Sequence, residues 1–281
     1  MNEKTYYLYS VIANQILKAI KQTKKQIEIS VDLNLSVKTF LLDDTSIIFD
    51  NQNILNCDQL RKISKKENRI FVLKNTKLKI LEYWDDGYYK LVPTLDAPTV
   101  EINGVKMHRS KDISPFIDAK QKAHEVVRKN HRVLDTCSGL GYTAIWALRM
   151  GASEVLSIEY NKTMLQIRKD NPWSKEVYSS KIKVERGDAG DIIKDLPLSS
   201  FDSIIHDPPR LSMAGHLYGE EFYSELYRVL KEKGRLFHYT GNPHQARHGN
   251  TFLMNVAKRL KKVGFRKVIP KEHLLGVTAS K

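Results

Sequence analysis

Apolar runs of strand length alternate with stretches of helical length between Ser114 and Tyr239, and this alternation constrains the fold more than any other feature. Ser114-Pro115 is a typical helix start, and the helix is predicted to continue to Lys129. The predicted strands are Arg132–Asp135, Glu154–Glu159, Lys181–Glu185, Phe201–His206 and Arg235–Tyr239, and the other predicted helices are Tyr142–Arg149 and Glu220–Lys231. Strands separated by helices predict an α/β fold with a doubly wound parallel sheet, in which ligands bind at the carboxyl ends of the strands.

The first part of the chain has a different pattern, which predicts a smaller α+β module. Apolar residues at every fourth position predict a helix, and two pairs of strand-like runs flank acidic turns as β-hairpins. The helix carries Leu8, Ile12, Ile16 and Ile20; the hairpins join Val37–Leu42 to Ile47–Phe49 and Leu78–Trp84 to Tyr88–Val92. We predict an N-terminal module over residues 1–96 and a larger domain over 97–281, with the junction in the loose stretch between Pro93 and Pro115.

Composition favours a nucleic-acid partner over a membrane. The chain has 46 Lys and Arg against 32 Asp and Glu, a net charge of +14, and such an excess is typical of proteins that bind a polyanion. A generally Lys-rich proteome is the alternative explanation. No window approaches the ~20 unbroken apolar residues of a membrane helix. The start, Met1–Thr5, lacks the layout of a secretory signal, so we expect a cytoplasmic protein with no membrane partner.

The few cysteines and histidines do not predict a metal site. Cys57 and Cys137 are the only cysteines and lie far apart, so neither a disulfide framework nor a zinc site is indicated. His244 and His248 are four residues apart near Arg247, but proline and glycine surround them and no acidic ligand is adjacent. We expect a loop that faces RNA there, and no metal.

A glycine-containing turn follows the first strand of the predicted sheet. Gly139 and Gly141 permit a tight turn and a close approach of a nucleotide-like ligand to the next helix. Glu159, at the end of the second strand, is placed to accept hydrogen bonds from ribose hydroxyls. Because Gly139-x-Gly141-x-x-Ala144 also fits a dinucleotide fingerprint, NAD and FAD compete with S-adenosylmethionine.

Asp135 favours S-adenosylmethionine among these ligands. A carboxylate before the turn would face the anionic pyrophosphate of a dinucleotide, whereas S-adenosylmethionine carries an ammonium and a sulfonium. The alternative role for Asp135 is a cap of the loop. After the third strand, Asp188 can accept the adenine amino group while Ala189 offers its backbone N–H to the ring. Asp188 can equally cap the helix predicted over Asp191–Leu196.

The fourth strand ends in Asp207-Pro208-Pro209, which suits an amine acceptor. A diproline fixes an extended exit from the strand and leaves one carboxylate at its end. The lone pair of a base amino group is delocalised into its ring, so the amine is a poor nucleophile. The Asp207 carboxylate and the Pro208 carbonyl can accept its two N–H bonds and orient the lone pair toward a methyl donor. The alternative is a strand-end turn without chemistry.

These motifs carry a family resemblance from about Ala97 to the C-terminus. The domain resembles class I S-adenosylmethionine-dependent methyltransferases, and Asp207-Pro208-Pro209 is similar to the Asp/Asn-Pro-Pro-aromatic motif of enzymes that methylate exocyclic amines. More narrowly, the segments 135–144, 206–210 and 237–241 resemble archaeal methyltransferases that include an rRNA cytidine N4-methyltransferase. Two departures are Cys137, in the place of the first glycine of the family pattern, and Arg210, in the place of the stacking aromatic.

The resemblance implies a Rossmann-like fold, S-adenosylmethionine as cofactor, and RNA as partner, either ribosomal RNA or an assembling small subunit. Catalysis falls to Asp207, Pro208 and Pro209. The implied cofactor-binding residues are Asp135, Cys137, Gly139, Gly141, Tyr142, Thr143, Glu159, Tyr160, Gly187, Asp188, Ala189 and Asp207. The candidate substrate-binding residues are His108, Arg109, Arg210, Tyr218, His238 and Tyr239, because a base extruded into such a pocket is held by flat side chains.

The expected function is methylation of an exocyclic amine in RNA, with cytidine N4 of 16S ribosomal RNA favoured and the N-terminal module recognising RNA. Two alternatives remain open at this point. One is methyl or aminopropyl transfer to a small-molecule amine, against which the basic composition argues because a cationic acceptor needs an acidic pocket. The other is an RNA-binding ribosome assembly factor with a vestigial cofactor site, against which Asp135, Glu159, Asp188 and Asp207 argue.

Overall fold

The computed structural model describes residues 4–241 and 249–281, so the histidine pair at 244 and 248 lies outside the described residues. The chain divides into two compact units, Met1–Pro115 and Phe116–Lys281. This division falls later than the predicted boundary at residue 96. The reason is strand pairing, since Thr99–Ile102 pairs antiparallel with Tyr88–Val92 and so completes a sheet of the first unit.

The first unit is an α+β module, as predicted. Its elements are β1 (Thr5–Leu8), α1 (Ser10–Lys21), β2 (Gln26–Ile29), β3 (Lys38–Leu42), β4 (Ser46–Ile48), β5 (Ile54–Asn56), α2 (Cys57–Ser64), β6 (Phe71–Lys74), β7 (Lys77–Ile80), β8 (Glu82–Trp84), β9 (Tyr88–Val92), β10 (Thr99–Ile102) and β11 (Val105–Lys106). Within its described residues, the strands form three antiparallel sheets of order β1-β6-β7, β2-β3-β4-β5 and β11-β10-β9-β8.

Both predicted hairpins of this unit are present, with two corrections to their surroundings. β3 pairs with β4 and β8 pairs with β9. However, β7 pairs with β6 in a different sheet, so the run Leu78–Trp84 is two strands. The predicted helix begins too early, because Leu8 ends β1 and pairs with Phe71, whereas α1 starts at Ser10. A four-residue spacing that happens to continue from a strand into a helix cannot mark the boundary.

The second unit contains the predicted doubly wound sheet. Its elements are α3 (Pro115–Val126), β12 (Arg132–Asp135), α4 (Tyr142–Arg149), β13 (Glu154–Glu159), α5 (Lys162–Asp170), β14 (Ile182–Arg186), α6 (Ala189–Asp195), β15 (Phe201–His206), α7 (Glu220–Val229), β16 (Leu230–Tyr239), α8 (Gly249–Val263), β17 (Arg266–Lys271) and β18 (Gly276–Ser280). The strand order is β14-β13-β12-β15-β16-β18-β17, in which β12 to β16 are parallel and β18 is antiparallel to both its neighbours.

The sheet is covered on both faces, which explains why its strands are nearly continuous apolar runs. Leu134 and Ile204 belong to the core cluster formed with α6, α7 and α8. Their neighbours Val133 and Ile205 belong to the cluster formed with α3 and α4 on the opposite face. Alternate side chains of each central strand therefore enter two separate cores. In the described parts of the chain, no helix is both long and apolar enough to cross a membrane.

The topology fixes where a ligand site belongs. From β12, the chain adds β13 and β14 on one side and then returns to place β15 and β16 on the other side. The order therefore reverses between β12 and β15, and ligands of open α/β sheets bind beyond the strand ends at such a point. Asp135 pairs with Ile205 in the parallel register, so Asp207 lies two residues beyond that pair at the same edge.

Candidate active site

The turn after β12 has a backbone shape that requires glycine. Gly139 and Gly141 have φ values of +49° and +79°, in the left-handed region that side chains disfavour. A Cβ on Gly141 would lie 2.2 Å from Cγ2 of Val177, so a larger residue has no space. Gly141 also caps α4, and the free backbone N–H groups of a helix start suit an anionic or polar ligand group.

Arg168, which was not among the predicted site residues, bonds to the carbonyl side of this turn. This α5 arginine is fully buried and donates from Nε to the Gly139 carbonyl at 2.9 Å and from Nη2 to the Ser138 hydroxyl at 2.6 Å. Nearby carboxylates Glu159 and Asp135 raise its pKa, but burial outweighs them and the net pKa is lowered. Arg168 thus fixes the carbonyl side of the turn.

Glu159 fixes the other side of the same turn and remains suited to ribose hydroxyls. Its Oε2 accepts the backbone N–H of Gly139 at 2.7 Å, and its Oε1 accepts that of Asn161 at 2.9 Å. The side chain is almost fully buried, which raises the pKa of the carboxyl. The backbone N–H of Tyr160 also bonds to this carboxylate, so about one of its roughly four lone-pair sites remains for a ligand. Tyr160 follows directly and is 68% exposed.

Asp135 is buried within the fold, where its carboxylate meets two hydroxyl groups, and its role toward the cofactor stays a prediction. It is 0% exposed, accepts the Thr143 hydroxyl at 2.9 Å and lies 3.4 Å from the Ser157 hydroxyl. Burial raises the pKa of Asp135 to about 7. The hydroxyl of Thr143 therefore donates its hydrogen bond to Asp135. The hydroxyl of Tyr142 accepts a hydrogen bond from the Asn171 side chain at 2.9 Å. The side chains of Tyr142 and Thr143, which were both predicted to bind the cofactor, are buried within the protein, so their backbone is the part that can meet a ligand.

In the segment after β14, Asp188 has the capping role that the sequence left open, and its contact with the adenine amino group stays a prediction. Its carboxylate caps α6 by accepting the Gly190 N–H at 2.7 Å, and both its oxygens lie 3.1 Å from Nε2 of His216. The backbone N–H of Gly187 binds the Glu159 carbonyl, and Ala189 is buried at the start of the helix. His216, in the short 3₁₀ helix Gly215–Tyr218 that follows β15, was not predicted. Cys137 packs against the core, and burial raises the pKa of its thiol.

At the end of β15, Asp207 meets a buried lysine. Oδ2 of Asp207 is 2.7 Å from Nζ of Lys122 in α3, and the same ammonium lies 2.9 Å from Oδ2 of Asp118. Burial raises the pKa of Asp207 although Lys122 opposes this effect. Burial lowers the pKa of Lys122, but the two carboxylates outweigh it and the net pKa is raised. Nζ also lies 4.0 Å from the centre of the Tyr239 ring.

Two residues that were predicted to hold the substrate lie buried near the diproline, and one of them, Tyr218, anchors it. Tyr218 is 2% exposed and donates its hydroxyl to the Pro209 carbonyl at 2.9 Å, so its ring cannot stack on an open base. His238 is also fully buried, with Nε2 2.8 Å from the Tyr223 hydroxyl. These two assignments are corrected from pocket lining to support. Arg210 is exposed after the diproline, and Tyr239 is partly buried at the lysine.

A second buried histidine supports Asp207 from its own strand. His206 accepts the Thr136 hydroxyl at Nδ1, 2.7 Å away, and donates from Nε2 to the Leu217 carbonyl at 3.0 Å, which assigns its tautomer. Burial lowers the pKa of His206 to about 3, so the ring is neutral. The two remaining candidates, His108 and Arg109, belong to the first unit, where Nδ1 of His108 lies 3.0 Å from the Thr99 hydroxyl.

Comparisons with known proteins agree with this geometry. Residues 127–274 match the family described as a methyltransferase domain. An uncharacterized protein of Methanocaldococcus jannaschii is 46% identical over 279 residues, which cover 98% of this chain and 95% of the relative. A spermidine synthase in complex with the transition state analogue AdoDATO has a similar fold, with a TM-score of 0.58, 16% identity and coverage of 100% of this chain and 81% of that one. MNMC2 from Aquifex aeolicus follows at a TM-score of 0.50 and 21% identity, covering 68% and 70%.

The chain belongs to the methyltransferase domain family, which its second unit represents. Its cofactor is S-adenosylmethionine. The residues at the strand ends fit this group, because Glu159 can bind hydroxyls beside the exposed Tyr160, while the glycine turn leads into the N-terminus of α4, whose free N–H groups suit a polar ligand group. The cofactor supplies a methyl group made electrophilic by its sulfonium.

Proposed function

We propose that this methyltransferase modifies an exocyclic amine in RNA, with cytidine N4 of 16S ribosomal RNA as the favoured acceptor. The observation that carries the proposal is the position of Asp207. Its carboxylate follows β15 at the reversal of the strand order, one strand away from the glycine turn, and Pro208 and Pro209 fix the backbone behind it. An acceptor bound there lies next to the cofactor cleft.

Asp207 has the hydrogen-bonding capacity that the reaction requires. Lys122 occupies Oδ2, whereas Oδ1 forms no hydrogen bond within the described residues. The side chain keeps 20% of its exposure, so an acceptor can reach it. An amino group that donates one N–H to Oδ1 and the other to the Pro208 carbonyl would have its lone pair turned out of the ring plane as positive charge develops on nitrogen.

The charge distribution supports RNA as the acceptor. The second unit holds 28 Lys and Arg against 18 Asp and Glu, whereas the first holds 18 against 14. Most of the excess positive charge therefore lies in the unit with the site, and such an excess attracts a phosphate backbone. The role of the first unit in RNA recognition, and of His108 and Arg109 in it, is part of the proposal. Arg210 offers an exposed guanidinium plane for a base.

The test is transfer of an isotope-labelled methyl group from S-adenosylmethionine to unmodified 16S ribosomal RNA, followed by digestion and mass spectrometry of the nucleosides. We expect the label in N4-methylcytidine. Asp207→Ala should lower the rate by about 100-fold or more while cofactor binding persists, since a positioned carboxylate contributes on the order of 10²–10⁴. Asp191→Asn, which removes an exposed acid from α6, is the matched control and should retain the wild-type rate.

Three results would contradict parts of this proposal. Label in another nucleoside would retain RNA methylation and replace the acceptor. Label in a small amine but in no RNA, whether free or in small-subunit particles, would refute the RNA assignment. Full methyl transfer by the Asp207→Ala variant would refute the role of the carboxylate.

A further inference from the structure

The Asp207 carboxylate is held by a cation that is itself surrounded by protein groups. The Lys122 ammonium donates to Oδ2 of Asp207 at 2.7 Å and lies 2.9 Å from Oδ2 of Asp118, one helical turn earlier in α3. The centre of the Tyr239 ring lies 4.0 Å from the same nitrogen, and the lysine side chain is 6% exposed. The ammonium therefore has a defined position, and Oδ2 is the oxygen of Asp207 that it occupies.

This contact decides which atom of residue 207 is offered to an acceptor. An ammonium has three donors and no acceptor, so an oxygen has to face Lys122. A carboxylate meets this requirement with one oxygen and keeps Oδ1 for the open side, where 20% of the Asp207 side chain is exposed. An asparagine would turn its oxygen to Lys122 and its NH₂ group outward. That NH₂ group would meet the N–H of an acceptor amine, donor against donor.

We propose that Lys122 is a positioning residue that orients Asp207, so that an oxygen faces the acceptor amine and residue 207 has to be an acid. The inference rests on the proposed function, in that Asp207 is taken to accept an N–H of the acceptor amine. Lys122 acts through Asp207 and does not itself touch the acceptor. Two carboxylates flank one ammonium, so the cluster is negative overall, which suits an amine that gains positive charge as it is methylated.

The test reverses the polarity of this contact. Asp207→Asn should lower the rate of methyl transfer to 16S ribosomal RNA as far as Asp207→Ala does, by about 100-fold or more. Adding Lys122→Gln gives the asparagine NH₂ group an amide oxygen to bind, which leaves the asparagine oxygen for the acceptor, while the glutamine NH₂ group can donate to Asp118. The double variant loses one positive and one negative charge, so the net charge of the cluster is unchanged. It should be faster than Asp207→Asn by about tenfold, the effect of one hydrogen bond.

A merely structural role for Lys122 predicts the opposite sign, because a second substitution in a packed cluster would add to the loss. The matched control is Lys120→Gln in the Asp207→Asn background, the same change at an exposed position of the same helix, and it should give no recovery. A double variant that folds and binds S-adenosylmethionine, but is no faster than Asp207→Asn, would overturn the inference. If the double variant fails to fold, judged by circular dichroism, Asp207→Asn alone decides, because faster transfer by it than by Asp207→Ala would overturn the inference.

The choice of acceptor separates this inference from the proposed function. The same variants are offered labelled S-adenosylmethionine with either 16S ribosomal RNA or 1,4-diaminobutane. If the wild-type protein labels RNA but the double variant shows no recovery, the inference is wrong and the function stands. If the wild-type protein labels the diamine alone and the double variant recovers on it, the RNA assignment is wrong and the positioning role stands.

Discussion

Asp135 offers a quantitative test of how the site is built, because its burial couples stability to pH. In the unfolded chain, its carboxyl ionises near the ordinary value of 3.8, and in the folded protein it ionises near a pKa of about 7. Below pH 3.8 both states are protonated and the contribution to stability is fully present. Between the two values the unfolded state loses its proton and the folded state keeps it, so the free energy of unfolding falls. Above pH 7 the loss is complete.

The shift of about three pKa units corresponds to about 4 kcal/mol, at 1.36 kcal/mol for each unit. Asp135→Asn cannot ionise and escapes this loss. We therefore expect the difference in unfolding free energy between the variant and the wild-type protein to increase in the variant's favour by about 2 kcal/mol between pH 5 and pH 7. It should change little between pH 8 and pH 9. The informative quantity is the change of this free-energy difference with pH, because any pH-independent effect of the asparagine on stability cancels.

The assay is urea unfolding at each pH in the absence of cofactor. Trp146 and Trp173 lie in the second unit and Trp84 in the first, so a Trp84→Phe background restricts the fluorescence signal to the methyltransferase unit. Asp191→Asn is the control for the removal of one negative charge. A gap between Asp135→Asn and wild type that stays constant from pH 5 to pH 8 would refute the reasoning, because Asp135 would then be ionised throughout.

Two further predictions concern the turn that follows β12. Gly141→Ala should lower the free energy of unfolding by about 3 kcal/mol or more and abolish stabilisation by S-adenosylmethionine in thermal denaturation, because its φ is +79° and the new Cβ would lie 2.2 Å from Val177. Gly104→Ala, at a φ of +82° with open space around it, should cost only about 1–2 kcal/mol, and equal losses would show that the overlap is unimportant. Glu159→Gln should weaken S-adenosylmethionine binding at least tenfold by calorimetry, whereas unchanged affinity would exclude the carboxylate from the site.

The sequence predicted the sheet well because its strands are buried on both faces. The bounds of β12, β13 and β15 were predicted to the residue, since an apolar run ends where an acid or a polar turn begins. The positions of Glu159 and Asp207 at one edge followed from the parallel arrangement alone. Strand ends are therefore readable from a single sequence when both cores demand apolar residues.

The partners of those acids were not readable, because they come from distant parts of the chain. Lys122 and Asp207 are 85 residues apart, and nothing in composition separates Lys122 from Lys120. One local signal was available, since Lys122 lies on the same helical face as Ala119, Ala123 and Val126, where a lysine requires a buried partner. The same argument applies to Arg168 on the buried face of α5.

The aromatic residues near the strand ends were the least predictable. Tyr218 and His238 carry flat rings at positions close to the diproline, which fits either a pocket wall or a core beneath it. The burial of the two side chains shows that they belong to the core and not to a pocket wall. That burial depends on how the helices pack against the sheet, which the local sequence does not specify. Sequence position places such a residue near a site but does not tell which way its side chain faces.

The peptide groups on either side of Gly139 are clamped in opposite directions, with Glu159 accepting its N–H and Arg168 donating to its carbonyl. A loop fixed in this way has already lost its conformational freedom, so a ligand that fits it loses little more on binding. The consequence concerns the catalytic cycle. Exchange of the spent donor for a fresh one between turnovers therefore needs no refolding of this segment.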